Sequence, residues 1–243
     1  MKNTLLLLLA FTMVPTLVKP IEFEKDVFKT KNGNLTITFI AHGTLMMEYN
    51  GKVIHIDPVG SYADYSKLPK ADLILITHEH GDHLDLEAIK SVKKESTEVV
   101  LTKTCSEKYS DGEVIKNGES GNFAGFDVDA VPAYNIKNMR SEGNPFHPKG
   151  VGNGYVIHFG DKKVYVAGDT ENIPEMANLK NIDIAFLPMN LPYTMTPEMV
   201  AAAAKMFHPK ILYPYHFGNT ETAKLLELMK NQPETEVRVR KLN

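Results

Sequence analysis

Cysteine is nearly absent from this chain: Cys105 is its one thiol. That excludes an internal disulfide, a cysteine-based zinc knuckle and a CxxC redox pair. The surrounding LTKTCSEKY offers no neighbouring base, so Cys105 reads as a small half-buried thiol and not as a nucleophile. An excess of positive charge is missing as well. The net charge is −3 with both signs well mixed, which leaves no electrostatic footprint for nucleic acid. No linker, low-complexity tract or charge block divides the chain. Its 243 residues, 43% of them hydrophobic, are enough for a full core.

Long apolar runs are scarce too. The longest, Leu5 to Val14, follows Lys2 and ends at Pro15. It is too short to span a bilayer and suits the apolar region of a secretory signal. A short buried N-terminal helix is the alternative, but nothing in the run is amphipathic. No clear A-x-A pattern precedes Lys19, and no cysteine follows that could carry a lipid anchor. Residues 1–20 are therefore expected to be a signal peptide. Residues 21–243 would form one domain, exported to the periplasm or the medium.

From Asn34 the pattern is β. LTITFIAHGTLMMEY and KVIHIDP flank Asn50-Gly51, a turn pair that accepts positive φ and marks a hairpin. ADLILIT, Ala71 to Thr77, is almost continuously apolar, as expected of a strand covered on both faces. Asp85 can cap a short helix through Val92, and VVL begins another strand. FDVDAVPA, GYVIHFG, KVYVAGD and IDIAFLPMN read as further strands. Thr196 then caps the helix PEMVAAAAKMF with Pro197 at its first position. KILYPYHF, the helix TAKLLELMK and a last strand EVRVRKL follow. Each half runs strands first and strand–helix alternation second. That order fits an α+β sandwich, two sheets face to face with helices outside, better than a doubly wound sheet.

The densest chemistry is in ILITHEHGDHLD, Ile74 to Asp85. Three of the chain's nine histidines fall within six positions there, directly after the buried strand. Neutral imidazoles and a carboxylate are ligands for zinc, iron or manganese. A helical H-E-x-x-H site needs histidine at position 82, where this chain has Asp82, so that arrangement fails. On a loop that Gly81 keeps from regular helix, His78 and His80 can converge on one ion while Asp82 and His83 reach a second. Four ligands leave open coordination positions, so other segments must contribute.

THEHGDH resembles the H-x-H-x-D-H signature of the metallo-β-lactamase superfamily, and later segments match in order. In AGDT, Asp169 stands where that family places a carboxylate bridging two metals. In YPYHFG, His216 is similar to the family's final histidine on the second metal. HGTLMMEYNGKVIHIDP looks like the opening hairpin, with Asp57 behind the ligands. The likeness covers roughly residues 34 to 243 and implies the four-layer αβ/βα sandwich of that family as a single domain. VPAYN, FHPKG, GYVI and AGDT resemble the ascorbate-6-phosphate lactonase-like branch, which includes N-acyl phosphatidylethanolamine phospholipase D. One departure stands out: where many members carry a third histidine directly after a strand, VPAYN has Tyr134 and Asn135. The nearest histidine, His147 in FHPKG, is assigned as ligand or near-site residue.

The resemblance implies a hydrolase. Its metal ligands would be His78, His80, Asp82, His83, His147, Asp169 and His216, holding two divalent ions, with zinc first and manganese or iron as alternatives. Thr77 and Asp57 would hold the ligands in place, since a metal-bound histidine needs its second nitrogen hydrogen-bonded. Two ions bring +4, Asp82 and Asp169 remove two, and a bridging hydroxide removes one more, leaving a residue near +1 that favours anionic small-molecule substrates. A metal-bound hydroxide, available because bound water is acidified toward ~7, would attack an ester, lactone or phosphodiester. Asp82 and Asp169 are the catalytic carboxylates that orient it and relay its proton. His42 and Tyr193 are the substrate-facing candidates; the plainer readings are a packed strand-end histidine and an anchoring loop tyrosine. His55 and His158 read as half-buried strand residues, and His208 as a partner of its helix dipole. A β-lactamase and an RNA-processing nuclease are disfavoured. A mononuclear iron dioxygenase and a non-enzymatic metal-binding protein of the same fold are the competing readings.

Overall fold

In the computed structural model, residues 22–242 are described. The proposed signal segment lies outside them. The described residues open with β1 (Glu24–Thr30), β2 (Gly33–Ala41), β3 (Thr44–Tyr49) and β4 (Lys52–Ile56), an antiparallel run. Parallel β5 (Leu73–Leu75), β6 (Glu98–Leu101) and β7 (Glu113–Val114) extend the same sheet, in the order β1-β2-β3-β4-β5-β6-β7. Between them lie helices α1 (Leu86–Val92) and α2 (Lys103–Ser106).

The second half repeats the plan. Its sheet takes β8 (Ser120–Phe123), β9 (Phe126–Ala133), β12 (Gly152–Phe159) and β13 (Lys162–Val166) antiparallel, then β14 (Ile184–Pro188), β15 (Ile211–Tyr215) and β16 (Glu236–Val237) parallel. A small separate hairpin of β10 (Met139–Ser141) and β11 (Asn144–Pro145) interrupts it, and α3 (Pro197–Phe207) and α4 (Thr222–Met229) cover it. Both seven-stranded sheets thus switch from antiparallel to parallel where helices enter the connections, because parallel neighbours need a crossover. This is the αβ/βα sandwich the sequence implies.

The two faces of the first sheet separate by alternation. Leu73 and Leu75 face the other sheet, packing in the core with Leu35, Ile37, Phe39, Leu45 and Met47. Ile74 and Ile76 face outward beneath α1 with Ile89 and Val92. Both faces are buried, so the segment reads as a continuous apolar run. Phe39 closes the gap between sheets, its ring 5.0 Å from Tyr213 and 6.1 Å from Phe186. On the outer face of the second sheet Phe207 of α3 meets Tyr165 edge-on at 5.8 Å. Fully burying one such side chain is worth roughly 1.5–3 kcal/mol.

The caps are those expected. Asp85 accepts from Glu87 N and Ala88 N, and Thr196 from Met199 N with Pro197 first in the helix. The Asn50-Gly51 turn sets Tyr49 opposite Lys52, both turn residues at positive φ. Three expectations need correcting. β1 lies N-terminal to the expected start at Asn34; as a charged edge strand with no buried residue, it shows little apolar alternation. The last strand stops at Val237 because Arg240 then turns to Asp26 on β1, at 2.7 Å, and Leu242 O accepts His42 N at 2.6 Å. Cys105 and His55 are fully buried rather than half-buried, and burial raises the Cys105 thiol to about 11, which leaves it inert at neutral pH.

Candidate metal centre

Loops from both sheets meet at one end of the sandwich. Thr77–His83 follows β5, the Asp169 loop follows β13, His216 follows β15, and His147 comes just before β12. His42 sits in the turn between β2 and β3. Thr77 O accepts Asn153 N at 2.9 Å, joining the first sheet's loop to the second sheet. Gly168 allows this approach: its φ is +64°, and a Cβ there would stand 2.6 Å from Asn153 O and 3.1 Å from Thr77 Cβ. Gly81, expected to keep the ligand loop irregular, has no left-handed φ and open space where a Cβ would go. The loop instead takes its shape from its anchors. Thr77 N donates to Asp57 Oδ1 at 2.8 Å, and His83 N and Leu84 N both return to His80 O.

The ligand candidates form three overlapping groups, one of which, His78, His83 and Asp169, bridges the other two. His78, His80 and His147 each bring a nitrogen, all within 4.8 Å of one another. His42, Asp82, His83 and His216 form a second such group. Asp169 stands between them. Its Oδ2 is 3.3 Å from His147 Nε2 and 3.3 Å from His216 Nε2, and its Oδ1 is 3.5 Å from His83 Nε2. The structure therefore brings together all seven residues assigned as ligands. His42 joins through Asp82, whose Oδ2 is 3.2 Å from His42 Nε2. His147 falls within the first group, twelve residues beyond Asn135, which stands where many members of the resembled superfamily carry a histidine.

Three of the imidazoles, those of His83, His78 and His147, are aimed by what holds their other nitrogen, whereas neither ring nitrogen of His216 has a hydrogen-bond partner. His83 Nδ1 donates to Asp57 Oδ2 at 2.8 Å, and His78 Nδ1 meets Thr77 Oγ1 at 3.0 Å while that hydroxyl donates to Asp57 Oδ2 at 2.6 Å. His147 Nδ1 meets Asn135 Oδ1 at 2.7 Å. Those bonds fix the tautomer and leave each Nε2 lone pair facing the centre. His80 is reversed: Nδ1 lies 3.1 Å from His78 Nε2, and Nε2 points out to Arg140. Among the described residues, His83 Nε2, His147 Nε2, His216 Nε2 and Asp169 Oδ1 are buried with no hydrogen-bond partner. Each such atom costs about 1–3 kcal/mol unless something satisfies it. Four orphaned ligand atoms gathered around Asp169 fit bound cations.

The backbone carries strain at the same place. Among the described residues, seven non-glycine positions have positive φ, and three of them, His42, Asp57 and His216, belong to this centre. Electrostatics agree. Burial lowers the basicity of His78, and neighbouring His83 adds to it, so His78 stays neutral as a ligand must. Burial works to raise the Asp169 carboxyl, yet His216 and His83 hold it well below the usual range. Burial likewise opposes the charge on His83, but Asp169 and Asp57 push its pKa up to about 9.

Above the centre lies a cavity of about 300 Å³ whose walls include His42, Asp82, Arg140, Asn190 and Tyr193. Tyr193 is 44% exposed at its rim, with its ring edge-on to Phe146 at 5.1 Å. Three neighbours escaped the sequence reading: Asn135, Arg140 and Glu171. Asn135 carried a signal, since it occupies the position where many members of the resembled superfamily have a histidine. His158 pairs with Asp129 at 2.9 Å and His208 with Glu234 at 3.2 Å, both away from the centre.

A two-sheet sandwich with this histidine–aspartate cluster at the ends of its strands defines a metal-dependent hydrolase fold, and the comparisons agree. The Beta-lactamase superfamily domain matches residues 36–216, and the chain belongs to that superfamily. It is 31% identical over 194 residues to a UPF0173 metal-dependent hydrolase from Desulforamulus reducens, covering 76% of this chain and 85% of that one. A presumed metal-dependent hydrolase from Parabacteroides distasonis has a crystal structure that superposes with a TM-score of 0.87 at 51% identity, over 91% of this chain and all of that one. A metallo hydrolase from Ignicoccus hospitalis superposes with a TM-score of 0.71 at 25% identity, over 86% and 96% of the two chains. The protein is thus a metal-dependent hydrolase by family.

Proposed function

We propose that this chain is a dinuclear hydrolase of small anionic esters, lactones or phosphodiesters, with zinc as the first candidate metal. The observation that carries this reading is the set of orphaned ligand atoms around Asp169, spread over a His78–His80–His147 group and a His42–Asp82–His83–His216 group that a third group, His78, His83 and Asp169, connects. His78, His80 and His147 would hold one cation and Asp82, His83 and His216 the other, with Asp169 shared. Cations there would supply Lewis acidity and a nucleophile available at neutral pH. The chain's own residues do the rest. Asp57, Thr77 and Asn135 orient the imidazoles. Asp169, 3% exposed, is fixed in place and suited to positioning the attacking water. Asp82, 44% exposed and facing the cavity, is suited to accepting that water's proton and passing it toward the leaving oxygen. His42, bonded to Asp82 Oδ2 and 20% exposed, links that carboxylate to solvent.

The reaction breaks the acyl–oxygen or phosphorus–oxygen bond of the substrate, forms a new one to water oxygen, and returns a proton to the departing alkoxide. The test is the protein purified from metal-supplemented medium and assayed on nitrophenyl esters, lactones and bis(nitrophenyl) phosphate, with and without chelator. Chelator-sensitive, metal-restorable turnover on at least one class is the expected outcome. A metal-loaded protein silent on all three would overturn the hydrolase reading in favour of a metal-binding protein. Oxygen consumption with iron would point to the dioxygenase.

A further inference from the structure

One wall of the cavity belongs to neither sheet. The segment from Asn135 to Lys149, which carries β10 and β11, folds over the site, and Glu171 holds it there. That carboxylate is buried, two residues beyond Asp169, and accepts Asn138 N at 2.6 Å, Lys137 N at 3.0 Å and Asn135 Nδ2 at 3.4 Å. Asn138 Nδ2 also donates to Thr194 O at 2.5 Å. The anchored hairpin delivers Arg140 to the cavity. Its guanidinium lies 5.1 Å from the Phe146 ring centroid, and Phe146 in turn packs edge-on against Tyr193. A guanidinium over an aromatic face is oriented without losing its charge.

Arg140 has no partner of opposite charge: among the described residues no carboxylate lies within ion-pair distance. Its protein contact is His80 Nε2, at 3.0 Å from Nη2. That contact uses the only lone pair His80 has to spare. A His80 ring that gives Nδ1 to a cation carries its proton on Nε2, and Nε2 then faces Arg140 as a second donor. A loaded centre therefore leaves the planar fork of Arg140 unmatched and turned toward the cavity, beside the carboxylates and within reach of whatever enters.

We propose that Arg140 is the specificity residue of this site: it binds an oxyanion, carboxylate or phosphoryl, carried by the substrate away from the bond that is cut, on the outer side of His80. The inference rests on the hydrolase reading above and adds the residue that selects the anionic group. Phe146 keeps the guanidinium in place, and Glu171 fixes the loop that bears it. A bidentate fork suits the two oxygens of such a group, whereas a lysine would offer a point charge.

The test uses the zinc-loaded full chain with Arg140→Met, which keeps much of the stem, and Arg140→Lys, which keeps the charge. Inorganic phosphate is titrated calorimetrically, metal content is measured, and turnover of 4-carboxyphenyl acetate is compared with that of phenyl acetate. Arg140→Met should bind phosphate about tenfold more weakly with its metal content intact, as expected for one charge-assisted pair. Its preference for the carboxylate-bearing ester, as a ratio of kcat/KM values, should fall by a similar factor. Arg140→Lys should lie between. Unchanged phosphate affinity and an unchanged ester ratio in Arg140→Met would overturn the proposal. So would loss of metal in that variant, which would make Arg140 a support for His80. Failure of the loaded wild-type chain to cleave either ester counts against hydrolysis, while the phosphate titration still judges Arg140 alone.

Discussion

Removing the side chain of Asn135 should loosen one proposed metal ligand without replacing any ligand. Asn135 is 5% exposed, and its Oδ1 accepts from both His147 N and His147 Nδ1 at 2.7 Å. Its Nδ2 donates to Tyr193 O at 2.9 Å. Asn135→Ala deletes three good hydrogen bonds and leaves two buried His147 donors unpaired. At about 1 kcal/mol for each neutral bond, the loss of stability should be roughly 3 kcal/mol, more if no water reaches the vacated space. The imidazole of His147 then lacks the acceptor that sets its tautomer. Loss of such an outer partner weakens metal affinity by about 10–100-fold. Metal affinity is read by competition with a chromogenic chelator, and stability by a thermal melt of the metal-free protein. Asn135→Asp separates the two effects: it keeps the acceptor for His147 but sets a second carboxylate beside Glu171, now 3.4 Å from Nδ2. It should hold metal better than Asn135→Ala while melting below the wild type. Metal affinity within twofold of wild type in Asn135→Ala would refute the assignment of Asn135 as the group that aims His147.

Three further outcomes are expected. His147→Ala should lose or weaken the cation of the His78 and His80 group and leave that of Asp82, His83 and His216 in place, giving a chain with about half the wild-type metal; retention of the full complement would remove His147 from the ligand set. His55 is buried away from the centre, and burial lowers its pKa from 6.5 to about 4. The folded chain keeps it neutral, so the stability it contributes is whole above pH 6.5 and is lost as pH falls toward about 4, by roughly 3 kcal/mol in all. His55→Leu should therefore melt with a shallower decline between pH 7 and pH 4.5 than the wild type, and parallel declines would contradict this. Export predicts a mature chain beginning between Thr16 and Phe23, motivated by Lys2 and the Leu5–Val14 run; mass spectrometry finding an intact Met1 on the native protein would sink it.

What the sequence disclosed about the site followed from how locally its parts are encoded. His78, His80, Asp82 and His83 share one short loop, and their residue types announce metal chemistry before any fold is known. Asp169 and His216 were found by family order, His216 directly after β15 and Asp169 three residues beyond β13. Asp57 and Thr77 were legible for the same reason. Arg140 and Glu171 were not, and Asn135 showed only as the residue standing where the superfamily has a histidine. Their roles depend on a loop that folds back so that Asn135 reaches His147 and Glu171 reaches Lys137 and Asn138, and nothing periodic marks such a return. The fold shows the same division. Ile74 with its alternating neighbours, the Asn50-Gly51 turn and the caps Asp85 and Thr196 stood out because each rule acts within a few residues. β1 did not, because an edge strand exposed along its length needs little apolar alternation. Gly81 misled for a related reason: the loop's irregular path comes from the bonds of Thr77 to Asp57, which are distant in sequence.

The central claim is that Asp169 joins two cation sites into one catalytic centre. The direct measurement is metal content per chain for the wild type and Asp169→Ala, after loading with zinc and removal of free metal, beside hydrolysis of the substrate that the panel identifies and a melt in excess zinc. The wild type should hold about two equivalents and Asp169→Ala about one or fewer. Turnover should fall by at least about a hundredfold, since misplacing a nucleophile by about 1 Å is that costly, in a variant that is still folded. Two retained metals and full activity in Asp169→Ala would contradict the claim.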